Sequence, residues 1–187
     1  MNNIVSVNIA TIFADSKKKR GVEKYAEIIK SFSLVNVTTD KDFQRKFNGF
    51  YRVRRNSEWQ NVFYDIMENG KTEDLTFEGV LQQIYNKTGR VEASFSSKLI
   101  HTLNHNMPIW DQFVLQNLNL KMPICSGEKK LQNAICIYSE IIQWYEQALS
   151  TFEINQKILE FDEVFPQYSW FSQTKKLDFL LWQMRDR

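Results

Sequence analysis

Apolar positions recur at helical spacing along most of the chain. Val22, Tyr25, Ala26, Ile29 and Phe32 fall at i, i+3, i+4, i+7 and i+10, which lays one apolar stripe along a helix. A polar break at residues 36–40 follows, where Thr39 or Asp40 can cap the next helix. Phe43, Phe47 and Phe50 continue the period there, and Asn48-Gly49 reads as a kink within it. Trp59, Val62, Phe63, Ile66 and Met67 mark a further helix closed by Asn69-Gly70. Thr76 can cap one carrying Phe77, Val80, Leu81 and Ile84, and residues 87–90 break it. Ser94 reads as the cap of a helix with Phe95, Leu99, Ile100 and Leu103 on its apolar face. After Pro108, Asp111 caps a short helix containing Phe113, Val114 and Leu118. Residues 131–152 form the longest periodic segment. The tail adds an aromatic cluster (Phe161, Phe165, Tyr168, Trp170, Phe171) and a last helix with Leu177, Leu180, Leu181 and Met184. At the start, Val5, Val7 and Ile9 alternate with Ser6 and Asn8, a pattern that favours a short strand over a first helix. Together these elements predict a mainly α chain, a single domain over residues 1–187, folded as an orthogonal bundle of about eight helices.

Composition agrees with that reading. With 14 Phe, 7 Tyr and 5 Trp among 187 residues, the chain can fill one aromatic-rich core, and 3 Pro with 6 Gly suit helices better than a turn-dense β sandwich. No window has the length of a membrane span and no signal-peptide pattern opens the chain, so the expectation is a cytoplasmic protein with reduced thiols and no membrane partner. Charge is unevenly distributed: residues 1–56 hold 12 Lys and Arg against 5 Asp and Glu, and the remainder holds 12 against 17. The basic part can meet a polyanion, double-stranded DNA in particular, or can face the acidic part within one fold.

Three stretches carry candidate chemistry. Pro108-Ile109-Trp110-Asp111 ends one helix and caps the next, and the stiff approach holds the carboxylate in one place. Lys98 lies 13 residues earlier, and a hairpin of helices can bring its amine to that carboxylate. Such a pair can attack carbon and stabilise a developing cation. In Phe47-Asn48-Gly49-Phe50-Tyr51-Arg52-Val53-Arg54-Arg55-Asn56, three arginines stand among aromatics in a manner suited to phosphate contact and base stacking. On a helix Arg52 and Arg55 share a face; in an extended segment Arg52 and Arg54 do. Arg90-Val91-Glu92-Ala93-Ser94-Phe95-Ser96-Ser97-Lys98 is a third stretch, where four small or hydroxyl residues at a helix start leave backbone N–H groups open to an anion. His101 and His105 stand at i and i+4 as half of a metal site, with Asp111 the one other candidate ligand. Two cysteines are too few for a Cys/His zinc site, so neither metal nor cofactor is expected.

A turn, a helix with Lys98, a proline-bearing loop and an Asp-capped helix resemble the core of the helix-hairpin-helix DNA glycosylase superfamily. The similarity spans about residues 76–120. In that family a Pro-Val-Asp-like loop supplies the essential carboxylate, and members that also cleave the backbone carry a lysine on the second hairpin helix. The matching positions are Asp111 and Lys98. The hairpin position, Thr88-Gly89-Arg90-Val91-Glu92-Ala93-Ser94, has a single glycine where the family is glycine-rich. The chain also resembles a group of bacterial conserved proteins of unassigned function that carry similar Tyr-Arg-Val-Arg-Arg and Ala-Ser-Phe-Ser-Ser-Lys segments. The resemblance implies a base flipped into a pocket near Asp111, with Trp110 stacking on it and the arginines holding phosphates. A non-catalytic nucleic-acid binder and a protein-interaction domain are the alternative readings.

Overall fold

The computed structural model describes residues 2–183 and contains no strand among them. The chain runs through α1 (Asn2–Val5), α2 (Ile9–Phe13), α3 (Ser16–Phe32), α4 (Lys41–Tyr51), α5 (Ser57–Asn69) and α6 (Phe77–Thr88). It continues through α7 (Ala93–Leu103), α8 (Gln112–Asn117), α9 (Gly127–Leu149), α10 (Phe152–Val164), a 3-10 turn (Pro166–Tyr168) and α11 (Gln173–Gln183). Eight of these helices have 11 residues or more, so the expected all-α bundle is the observed architecture. Met184, assigned to the last helix from its spacing, lies outside the described residues.

Local chemistry sets most helix ends. Asn8, Asp15, Asp40, Asn56, Thr76 and Asp111 each accept a backbone N–H from the first turn they precede. Gly89 closes α6 with φ of 68°, a left-handed conformation that costs glycine nothing. The expected apolar faces of α3 to α7 are the buried ones. Neighbours in sequence pack in pairs, α3 on α4, α5 on α6 and α6 on α7, and α9, α10 and α11 close the bundle around them.

Four elements differ from the sequence reading. The N-terminal alternation forms two short helices: Asn8 breaks the chain and caps α2, and Ile4, Ile9 and Phe13 are buried, with α1 and α2 packed on α10. Residues 17–20, ahead of the Val22 stripe, belong to α3, which begins at Ser16 after its cap Asp15. The segment expected over residues 131–152 is α9, which ends at Leu149, and Phe152 begins a separate helix, α10. Ser94 is not a cap: Glu92 occupies that position without a side-chain hydrogen bond, and the Ser94 hydroxyl is used elsewhere.

Asn48-Gly49 does not interrupt α4, which runs through to Tyr51. A Cβ on Gly49 would meet no atom within 4 Å. Gly49→Ala therefore stabilises the fold by about 0.5–1 kcal/mol, because only the unfolded chain loses freedom. Urea denaturation reads this directly, and a loss of stability would contradict the continuous helix.

Candidate functional site

The site is organised by the loop between α7 and α8. Pro108, Ile109 and Trp110 are buried there, so the loop backbone must find partners inside the protein. Side chains supply them. The Trp110 N–H donates to Ser97 Oγ at 2.9 Å, and Ser94 Oγ donates to the Trp110 carbonyl at 2.9 Å. Tyr138 Oη, from α9, donates to the Pro108 carbonyl at 2.8 Å. His101 Nδ1 lies 2.6 Å from the Met107 carbonyl, so it carries the proton, and Nε2 accepts the Tyr25 hydroxyl at 2.8 Å. Burial, then the charge of Lys175, pulls the His101 pKa well below the ordinary histidine value, which keeps the ring neutral.

Held in this way, the loop delivers Asp111 to the start of α8. Its Oδ1 accepts the N–H groups of Phe113 at 2.8 Å and Val114 at 2.9 Å, so the expected cap is formed. One turn of α7 faces it. Lys98 Nζ donates to Ser94 Oγ at 2.8 Å, and the same hydroxyl holds the Trp110 carbonyl, so amine and loop are tied through one oxygen. Lys98 also lies over the Phe95 ring, 5.1 Å from its centroid. Burial pulls the Lys98 pKa down to about 8, against the opposing pull of Asp111 and Asp178, and Lys175 adds to the depression.

These groups line a cavity of about 510 Å³. Ser94, Lys98, Trp110 and Asp111 stand on its wall together with Arg52, so five of the residues singled out from sequence converge there. Phe50, Tyr51, Phe95, Phe113, Phe179 and Trp182 give the wall an aromatic character. Arg52 has φ of 55° and ends α4 in the left-handed region, an uncommon conformation for a residue with a Cβ. Arg54, Arg55 and Arg90 do not line the cavity. Arg54 and Arg90 are exposed, whereas Arg55 forms a two-pronged pair with Glu92, Nε to Oε1 at 2.8 Å and Nη2 to Oε2 at 3.0 Å. Of the two arrangements open from sequence, the helical one, in which Arg52 and Arg55 share a face, does not occur, because α4 ends before both.

Two charged wall residues were not foreseen. Lys175 and Asp178 on α11 are buried and bonded to one another, Nζ to Oδ2 at 2.6 Å. Burial raises the Asp178 pKa, Lys175 opposes that, and Asp111 adds to it. Ser172, before α11, accepts the Lys175 N–H and donates to the His105 carbonyl, which ties this helix to the end of α7. One signal was available: residues 177–182 are apolar except Asp178, and a helix apolar on every side leaves charges no outer face. Among the described residues, no group of three or more His, Cys, Asp or Glu is arranged to hold a metal ion. No helix among them is long and apolar enough to cross a membrane.

The depressed Lys98 pKa gives an expectation independent of any activity. Reductive methylation needs the neutral amine, so Lys98 is modified with a midpoint near pH 8 and ahead of exposed lysines at lower pH. Mass spectrometry of peptides across a pH series checks this, and a midpoint in the ordinary lysine range near 10.4 contradicts it.

Compared with protein-family models, with curated proteins and with solved structures, the chain finds no match in any of the three.

Proposed function

We propose that the chain is a DNA-glycosylase-like protein that takes a base out of a duplex into the cavity and breaks its N-glycosidic bond. The observation that carries this reading is the meeting of Lys98 and Asp111 on one aromatic-walled cavity, each fixed by its own hydrogen bonds. The neutral Lys98 amine attacks the C1′ carbon of the sugar, and the base leaves with the electrons of the C1′–N bond and takes up a proton. Asp111, a carboxylate already oriented by the α8 amides, stabilises the positive charge that builds on the sugar ring. The buried Trp110 offers its indole at the same wall for stacking on the extruded base.

A basic surface beside the cavity supports nucleic acid as the partner. A Cβ on Gly21 of α3 would lie 3.9 Å from the Trp182 ring, so α3 passes the cavity rim there. Lys17, Lys18 and Lys24 fall at i−4, i−3 and i+3 from Gly21 and share its side of the helix. Arg52 adds a fourth cation on the wall itself. The Arg55–Glu92 pair favours a second reading, a helical interaction domain in which the basic residues are satisfied internally. In that case duplex binding is no tighter than for any mildly basic protein.

One experiment separates the two. Asparagine caps a helix as well as aspartate, so Asp111→Asn preserves stability to within a few tenths of a kcal/mol while removing the charge. In single-turnover assays on duplexes carrying a panel of altered bases, wild type releases base and Asp111→Asn does not, although both bind duplex with the same salt dependence. Lys17, Lys18 and Lys24 changed together to Ala flatten that dependence. Equal base release by wild type and Asp111→Asn, or no binding at low salt, overturns the proposal.

A further inference from the structure

A second cavity, of about 460 Å³, shares no lining residue with the one that holds Lys98 and Asp111. Its walls come from the segment before α6, the end of α7 and two turns of α9. On α9 the lining residues are Ile135, Tyr138, Ser139 and Ile142, at i, i+3, i+4 and i+7, a ridge about 10 Å long. The apolar period places Ile135 and Ile142 on the inner stripe of that helix, yet both are only half-buried. Leu75, Leu103 and Met107 line the same space and are half-buried as well. Five large apolar side chains therefore border a space that no part of the described chain fills.

The charge around this space has one sign. The chain carries a net charge of +2, but the charged residues lining the cavity are Glu73, Asp74 and Glu78, all exposed. Among the described residues, none of the three forms an ion pair. Three carboxylates on one rim, with no cation between them, set up a negative potential beside an apolar wall. The shape favours a small occupant over a protein. A protein interface buries about 800 Å² on each partner and spreads beyond any single hollow. Leu34, Ile124, Phe152, Leu159 and Trp170 are exposed elsewhere, and none of them borders this cavity, so its apolar surface stops at its edge. Its volume lies within the range of about 300–1,000 Å³ usual for sites that enclose one small molecule.

We infer that this cavity binds a small organic cation, an amine or quaternary ammonium with an alkyl or aryl body. The body lies on Leu103, Met107, Ile135 and Ile142, and the charged head faces Glu73, Asp74 and Glu78 at the rim. Because the rim is open to solvent, the carboxylates select the sign of the ligand, and the apolar wall supplies most of the affinity. Two wall residues also hold the loop that carries Asp111: Tyr138 donates to the Pro108 carbonyl, and the Met107 carbonyl accepts from His101. The bound cation thus touches the supports of that loop. The inference does not depend on the glycosylase reading and stands or falls without it.

Methyl NMR of the full chain, with its five methionines isotope-labelled at their methyl groups, reads the site through Met107. Met107→Leu, a change that keeps side-chain volume, assigns the signal. n-Decyltrimethylammonium, kept below its micellar concentration, shifts that signal to saturation. n-Decyl sulfate and the neutral n-decyl maltoside bind at least tenfold more weakly. Glu73→Gln, Asp74→Asn and Glu78→Gln together bring the cation down to the affinity of the neutral amphiphile. Ser139→Trp, at an exposed position, fills the space and abolishes the shift without lowering the melting temperature. Equal affinity for the three amphiphiles, no saturation by the cation, or a preference unchanged in the triple variant overturns the inference. A Met107 signal that moves with protein concentration alone would assign the groove to a second copy. A shift with a lysine-flanked amphipathic peptide, and none with the small cation, would assign it to a partner helix. Either result also overturns the inference.

Discussion

The buried backbone of the loop between α7 and α8 is the constraint on which the site depends. Peptide groups cannot be taken out of water without partners, and this loop has no helix or sheet to provide them. Ser94, Ser97 and His101 from α7 and Tyr138 from α9 do so, which fixes the loop's position to within a hydrogen-bond length. Asp111 then has one place to be, and α8 starts there. The same Ser94 oxygen that anchors the loop also holds Lys98, so the spacing between amine and carboxylate is a by-product of satisfying a buried peptide. A change at Ser94 acts on both partners at once.

The electrostatics follow from this burial. Two lysines and two aspartates share a space too dry to hydrate them fully, and each shifts its neighbours. Lys98 is held near the pH at which a lysine can act as a nucleophile, because desolvation outweighs the carboxylates. Asp178 is displaced upward by the same desolvation, and Lys175 limits the displacement. A helix-bundle core built for stability alone places leucine at such positions, and replacing buried ion pairs with packed apolar residues is often stabilising. The unpaired Tyr51 hydroxyl follows the same pattern. Buried polar groups also lie away from this cavity: Trp59 Nε1 and Ser96 Oγ have no hydrogen-bond partner, and Lys176 is buried against Asp162.

Much of the fold was legible in the sequence, because apolar period and cap residues both report local energies. Thr76, Asp40 and Asp111 are caps in fact as in pattern, and the stripes of α3 to α7 point inward. The failures have physical causes. Alternation over residues 5–9 is too short to separate strand from helix, and the packing of Ile9 and Phe13 against α10 decided it. Ser94 looked like a cap but is recruited by a tertiary contact that no local rule contains. Asp111, Lys98 and Arg52 were legible as candidates from the proline-bearing loop, the helix before it and the arginine–aromatic run, and Trp110 from the resemblance. Their meeting on one cavity, and the presence of Lys175 and Asp178 beside them, are properties of how α7, α8 and α11 pack.

The measurement that tests this account most directly is borohydride trapping on a duplex containing an abasic site. A neutral amine at Lys98 condenses with the sugar aldehyde, and reduction makes the link permanent. The account predicts one adduct per chain on the peptide carrying Lys98, forming faster as pH rises toward 8 and lost in Lys98→Gln. Adducts spread over surface lysines, or a yield unchanged in Lys98→Gln, would contradict the claim that this cavity holds a nucleophile.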